Sequence, residues 1–230
     1  MKQEIQYTDW KLIDYKEAWD KQKALFDELI EQKSQFDGSK KEFVPQWFIV
    51  CEHPHVYTLG KHGQANNLLI DNEFLQKINA VYYHIDRGGD ITYHGPGQIV
   101  GYPVLDLERH NLSLKGYVHL LEEAIIQTLL DYQIHSSRMQ GATGVWLDVG
   151  GQNPRKICAI GVRASRYVTM HGFALNVNTD LSYFSHINPC GFVDKGVTSL
   201  SKELNKTVDI EEIKLKIYNN FLLAINNNER

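Results

Sequence analysis

Cys190, Lys156 and the run from Arg87 to Tyr102 are the parts of this chain whose residue types and spacing can do chemistry. Cys190 stands in HINPCGF, where Pro189 fixes φ on one side and Gly191 frees the backbone on the other. Such a turn can present a thiol instead of burying it. Only the thiolate attacks a carbonyl, and a free thiol ionises near about pH 8.5, so the group needs a partner. Lys156 opens the strand-like run KICAIGV directly after GGQNPR, a position from which an ammonium can project into a site. A cation beside Cys190 favours the thiolate, and proton exchange between the two serves both halves of an acyl transfer. The alternatives stay open at this point. Lys156 can equally be an edge lysine that discourages sheet aggregation, and His94 and His171 are other possible bases. Cys158, between Ile157 and Ala159 in a strand pattern, reads as an inert small hydrophobe.

The segment RGGDITYHGPGQIVGY holds five glycines in sixteen residues, between two runs that read as buried strands. Glycine is favoured where φ is positive or where another group must approach the backbone. Two glycine clusters bracket Thr92, Tyr93 and His94, the profile of a wall around a ligand; a glycine-rich hairpin with a structural histidine is the bland alternative. A phosphate loop fits poorly. Gly95, Gly97 and Gly101 are one residue too long for G-x-G-x-x-G, no G-K-[ST] follows, and Ile99 to Leu105 has the pattern of a strand where a helix is required. Cys51, His53 and His55 share a face of an extended strand and suggest zinc. Pro54 interrupts that strand and no fourth ligand is near, so the expectation is no metal.

These groups need a scaffold. At 230 residues and 43% hydrophobic, the chain can bury a core as a single domain, expected over 1–230. A net charge of −4 and a pI near 6.2 give no global basic field, so nucleic acid is not an expected partner. Three cysteines without CxxC spacing point to a reducing compartment. Neither an apolar leader nor a membrane-spanning run is visible, and the expected location is the cytoplasm. Asp14 with Glu17, and Asp209 with Glu212, are capping-box patterns for an early and a final helix, and Ser113 caps a middle one ending near Tyr132. Trp47 to Cys51, Val56 to Leu59, Ala80 to Ile85 and Ile99 to Leu105 predict strands. GVWLDV, KICAIGVRA and FALNV predict consecutive antiparallel strands with a polar turn near Arg166, and the tail from Asn226 is expected to fray. Without strict β-α alternation, the expected class is α+β: a mixed, largely antiparallel sheet flanked by helices.

RGGDITYHGPGQIVGYPVLDL, KICAIGVR, HGFALNVNTDLSYFSHINPCG and GVTSL together resemble, in order and spacing, the lipoyl(octanoyl) transferases of lipoate biosynthesis. The resemblance extends from HPHVYTLGK to VTSL. It implies a fold similar to the catalytic domains of biotin and lipoate protein ligases. It implies that Cys190 carries the acyl group as a thioester and that Lys156 tunes that cysteine. Residues matching Arg87, Gly88, Gly89, Asp90, Ile91, Thr92, Tyr93 and His94 would line the acyl site. So would Ala159, Ile160 and Gly161, and Gly172, Phe173 and Ala174. The donor implied is acyl carrier protein, with the octanoyl group on its phosphopantetheine arm, no ATP and no resident cofactor. The acceptors implied are lipoyl domains of 2-oxoacid dehydrogenase E2 subunits and the glycine-cleavage H protein, with the enzyme a monomer that binds no membrane. Tyr93, Phe173, Val145 and Ile160 are expected as walls of the tail pocket, with His94 ordering the wall by hydrogen bonding. Backbone amides near Gly161, Gly172 or Gly191 are expected oxyanion donors. Arg155, Lys156, Arg163 and Arg166 are expected to form the docking face for the acidic carrier. The stretch Asp148 to Arg155 is longer than the family's usual turn, so a different loop geometry is expected there. A lipoate ligase, a thioesterase and a non-catalytic acyl-binding module are the rival readings.

Overall fold

Local capping places the long helices. Asp14 accepts hydrogen bonds from the backbone N–H groups of Lys16 (2.8 Å) and Glu17 (3.2 Å), starting α1 at Tyr15–Gln35. Ser113 Oγ accepts from the Gly116 N–H at 3.0 Å and starts the middle helix. The computed structural model describes residues 5–35, 45–188 and 196–228. Pro189 to Lys195, including Cys190 and Gly191, lie outside them.

Within the described residues the strands are β1 (Ile5–Leu12), β2 (Gln46–Glu52), β3 (Val56–Leu59), β4 (Val81–His84), β5 (Ile91–His94), β6 (Gln98–Val104), β7 (Ser137–Met139), β8 (Ala142–Leu147), β9 (Arg155–Ser165), β10 (Val168–Asn176) and β11 (Gly196–Val197). Besides α1 the helices are α2 (Asn72–Lys77), α3 (Leu114–Leu130), α4 (Leu200–Leu204) and α5 (Ile210–Asn228). The larger sheet runs β1-β2-β6-β10-β9-β8-β7, with β11 added parallel to β9; the smaller runs β4-β3-β5. Most neighbours are antiparallel, with β1–β2 and β3–β4 parallel as well. The class is the expected one. Helices α3 and α5 cover one face of the larger sheet over a core that includes Phe48, Phe173, Leu175, Ile217 and Phe221. Helix α1 covers the other face over Ile49, Val100, Met170 and Ala174.

Three differences from the sequence reading have physical causes. Strand β1 carries no clear alternation because it is an edge strand whose residues are mostly half-exposed. Strand β4 is not buried: it is the edge of the smaller sheet, and Val81 is 45% exposed. The final helix does not fray at Asn226 but continues to Asn228, whose amide donates to the His110 carbonyl at 3.3 Å. No helix of the described residues is long and apolar enough to cross a membrane.

The β9–β10 hairpin turns at Arg166 and Tyr167, both with positive φ (50° and 65°), as a two-residue primed turn requires. Extending the register that pairs Phe173 with Gly101 places Pro103 opposite His171. Proline has no N–H to give the ladder. The Pro103 carbonyl instead accepts from Thr169 Oγ1 (2.9 Å), and His171, at φ 60°, donates its N–H to Gln22 Oε1 of α1 (3.1 Å).

Candidate active site

A cavity of about 800 Å³ lies between the α1 face of the larger sheet and the smaller sheet. Its floor is set by register. Gly161 pairs with Gly172 and Ala159 with Ala174; Ala174 pairs onward with Val100, and Asn176 with Gln98. Four small residues in two cross-strand pairs leave a shallow trough, and side chains of period 2 send the alternate residues to the other face. Phe173 and Ile160 accordingly pack into the α3–α5 core, and the Phe173 ring occupies the space a Cβ of Gly101 would need, at 2.1 Å. Two of the four expected tail walls are therefore misplaced. Phe173 and Ile160 border the cavity, but Val145 is core, and Tyr93 does not line the cavity because it packs among Tyr57, Tyr183 and Phe184. The other described residues named from the sequence all border the one cavity: Arg87 to Thr92 and His94, the two triplets at Ala159 and Gly172, and Lys156.

Lys156 sits at one end. It pairs with Trp146 across β8–β9, and its Nζ lies 4.7 Å from the centre of the Trp146 ring, a contact that attracts an ammonium. Strand β11 runs beside it, with the Thr198 N–H donating to the Lys156 carbonyl at 2.9 Å. Asn188 and Gly196, the described residues flanking the segment that holds Cys190, both line the cavity. Asn188 is placed by its N–H to the Asn67 carbonyl (2.8 Å), and the preceding 3₁₀ turn Leu181–His186 by His55 stacked on Tyr183 at 4.2 Å.

A polar chain joins this end to the roof. Gln98 Nε2 donates to Asn176 Oδ1 (2.9 Å) and to the Tyr93 carbonyl (3.2 Å), so its Oε1 must face His94. His94 Nδ1 then donates to that oxygen at 2.8 Å. Asn176 passes the chain on to the Thr198 carbonyl at 3.0 Å. Burial, with the neighbouring His53, pushes His94 down to about 3, and burial pushes His53 down to about 4. His94 is thus a neutral ordering group and a poor base. His171 is no closer to the role: it pairs with Val162, six residues along β9 from Lys156, roughly 20 Å of strand. Gly161 is five strand residues from Lys156, roughly 17 Å, and Gly172 pairs with Gly161.

Cys51 Sγ lies 3.5 Å from His53 Nε2, but His55 does not join them. His53 Nδ1 donates to the Ile13 carbonyl (2.8 Å) and its Nε2 accepts from the Tyr102 hydroxyl (2.7 Å), while His55 turns to Tyr93 and Tyr183. Burial pushes the Cys51 and Cys158 thiols up, which keeps both protonated.

Residues 14–222 match the family model of the lipoyl protein ligase A/B catalytic domain. An octanoyltransferase of Bacteroides fragilis (strain YCH46) is 56% identical over 218 residues, 95% of this chain and 96% of that one. Another, of Christiangramia forsetii, is 53% identical over 223 residues, covering 96% and 95%. The chain belongs to the octanoyltransferase family. Its fold is also that of a bipartite lipoate protein ligase from Thermoplasma acidophilum, with a TM-score of 0.70 at 15% identity over 97% of this chain and 84% of that one. The biotin protein ligase of Aquifex aeolicus matches at 0.51, with 12% identity over 97% and 70%.

Sequence reasoning missed Trp146, Gln98 and Asn176 as members of the octanoyltransferase cavity. Gln98 and Asn176 lie inside quoted motifs, and two amides at the ends of adjacent apolar runs were the available signal. The residues expected at the docking face have these surroundings. Arg155 pairs with Glu203 (2.6 Å), Arg163 pairs with Asp86, and Lys156 lines the cavity. The long turn before Lys156 is ordered by Asp148, at φ 56°, whose carboxylate accepts from the Asn153 N–H at 2.8 Å.

Proposed function

We propose that this chain moves an octanoyl group from acyl carrier protein to a lysine of a lipoyl domain, through a thioester on Cys190 and without ATP. The observation that supports it most is one cavity shared by Lys156, the small-residue floor and both described residues flanking the Cys190 segment. Octanoyl arrives as a thioester on the phosphopantetheine arm, so its carbonyl is already activated and the protein needs no resident cofactor. The Cys190 proton passes to the Lys156 amine and the thiolate attacks the carbonyl. The tetrahedral adduct collapses, and the leaving pantetheine thiolate takes the proton back from Lys156. In the second half a neutral lysine amine of the acceptor attacks octanoyl-Cys190, Lys156 accepts the amine proton, and the Cys190 thiolate leaves and is reprotonated. Trp146 holds the transient ammonium in place.

The tail lies over Ala159 and Ala174 and points toward Gly161 and Gly172. Burying its methylenes at about 0.8 kcal/mol each gives several kcal/mol of binding. The acceptors in this reading are lipoyl domains of 2-oxoacid dehydrogenase E2 subunits and the glycine-cleavage H protein, met in the cytoplasm. The test is an incubation of octanoyl-acyl carrier protein and an unmodified lipoyl domain with the purified chain, without nucleotide. An octanoyl mass increment on the lipoyl domain is expected; transfer only with ATP and free octanoate would replace this reading with a ligase.

A further inference from the structure

The cavity ends, away from Lys156, at the turn Asp86 to Gly88, and that turn is stitched to the floor at three points. The Gly88 N–H donates to the Val162 carbonyl of β9 at 3.0 Å. Asp86 Oδ1 accepts from His171 Nε2 of β10 at 3.0 Å, and Asp86 Oδ2 pairs with Arg163 of β9. The His171 hydrogen bond leads the interactions that hold the Asp86 carboxyl below its usual range, and burial lowers His171, so a neutral imidazole donates to a carboxylate. Roof and floor meet here with no spare room: a Cβ on Gly161 would stand 2.9 Å from the Gly88 oxygen.

The turn is also held from behind. The carbonyls of Arg87, Gly89 and Asp90 accept from the N–H groups of Lys61 (3.0 Å), His62 (3.2 Å) and Gly60 (3.2 Å). Arg87 Nη2 reaches the Thr58 carbonyl at 2.7 Å. A Cβ on Gly60 would meet the Gly89 oxygen at 2.4 Å. An apolar chain advancing along the floor therefore meets a wall that neither yields nor offers apolar surface.

We propose that this seam, through Asp86, His171 and Arg163, is the stop that limits the length of the acyl chain the enzyme accepts. The inference rests on the acyltransferase reading above. Val162 under the seam is six strand residues from Lys156, roughly 20 Å. An extended chain advances about 1.2 Å per bond, the rise of an extended backbone, so eight carbons span roughly 9 Å and four more add about 5 Å. The lysine side chain, the thioester and eight carbons fill the run; twelve or sixteen carbons drive the tail into the seam.

The test compares kcat/KM for acyl carrier proteins loaded with eight-, twelve- and sixteen-carbon chains, in wild type, Asp86→Ala, His171→Ala and Arg163→Met, with melting temperatures for each. Asp86→Ala loses two stitches and should raise the twelve- to eight-carbon ratio about tenfold or more, the scale on which pockets discriminate methylenes. His171→Ala and Arg163→Met, losing one each, should raise it less. If Asp86→Ala does not fold, the two single-stitch variants carry the test. Ratios unchanged within about twofold in folded variants, with normal octanoyl transfer by wild type, would overturn the stop alone. Wild type that transfers no octanoyl group would bring down the acyltransferase reading and the stop with it.

Discussion

Gly101 shows how a glycine in this chain serves a ligand indirectly. Gly101 yields its Cβ space to the Phe173 ring on the core face, which fixes the strand whose other face is the trough. Gly101→Ala should therefore destabilise the fold by about 1–3 kcal/mol, the range for overpacking, as read from urea midpoints. Lys156 belongs to the chemistry instead. Lys156→Met should slow octanoyl loading in single-turnover measurements by about 10²- to 10⁴-fold, the usual contribution of a positioned acid–base group, with a smaller change in melting temperature. An unchanged loading rate would remove Lys156 from the mechanism. The sequence pointed to the right stretch of chain here, because glycine density next to His94 and Arg87 has few structural uses. It misdirected the choice of walls. Val145 and Tyr93 look like a pocket for a tail, yet they fill cores away from the cavity, and the small residues of the trough, Ala159, Gly161, Gly172 and Ala174, were named only through the family resemblance.

Elements that carry their own punctuation were legible: α1 from Asp14, α3 from Ser113, and the β9–β10 hairpin from its polar turn. Edge strand β1 was not, because a half-exposed strand loses the alternation that marks a buried face; β4 was legible as a strand from Ala80 to Ile85, but not as an exposed edge. Long-range stitching also left no local trace. Gln22 on α1 accepts the His171 N–H, and nothing near Gln22 in sequence says so. Gln22→Leu leaves that buried donor without its acceptor and should cost about 1–3 kcal/mol, measurable as a lower urea midpoint with little change in slope. A midpoint equal to wild type would mean that the His171 N–H finds another acceptor.

Across the whole molecule, His53, His94 and His171 are buried beside the cavity and held neutral, with His53 and His94 pushed down to about 4 and 3. Their folded values lie below the ordinary histidine value of about 6.5, so the unfolded chain binds protons that the folded chain does not. Stability from these groups is fully present above about pH 6.5 and falls as pH drops toward the folded values, each group adding up to about 1.4 kcal/mol per pH unit. The melting temperature should decline between pH 6.5 and 5, and His53→Gln should flatten that decline; a flat wild-type profile would contradict the burial argument. The central claim remains the acyl-enzyme. Its most direct measurement is the intact mass of the purified chain after mixing with octanoyl-acyl carrier protein, without ATP or acceptor, beside Cys190→Ala. The account predicts one octanoyl increment on wild type, none on the variant, and loss of the increment when a lipoyl domain is added. An increment that survives Cys190→Ala, or octanoyl transfer by that variant at the wild-type rate, would contradict it.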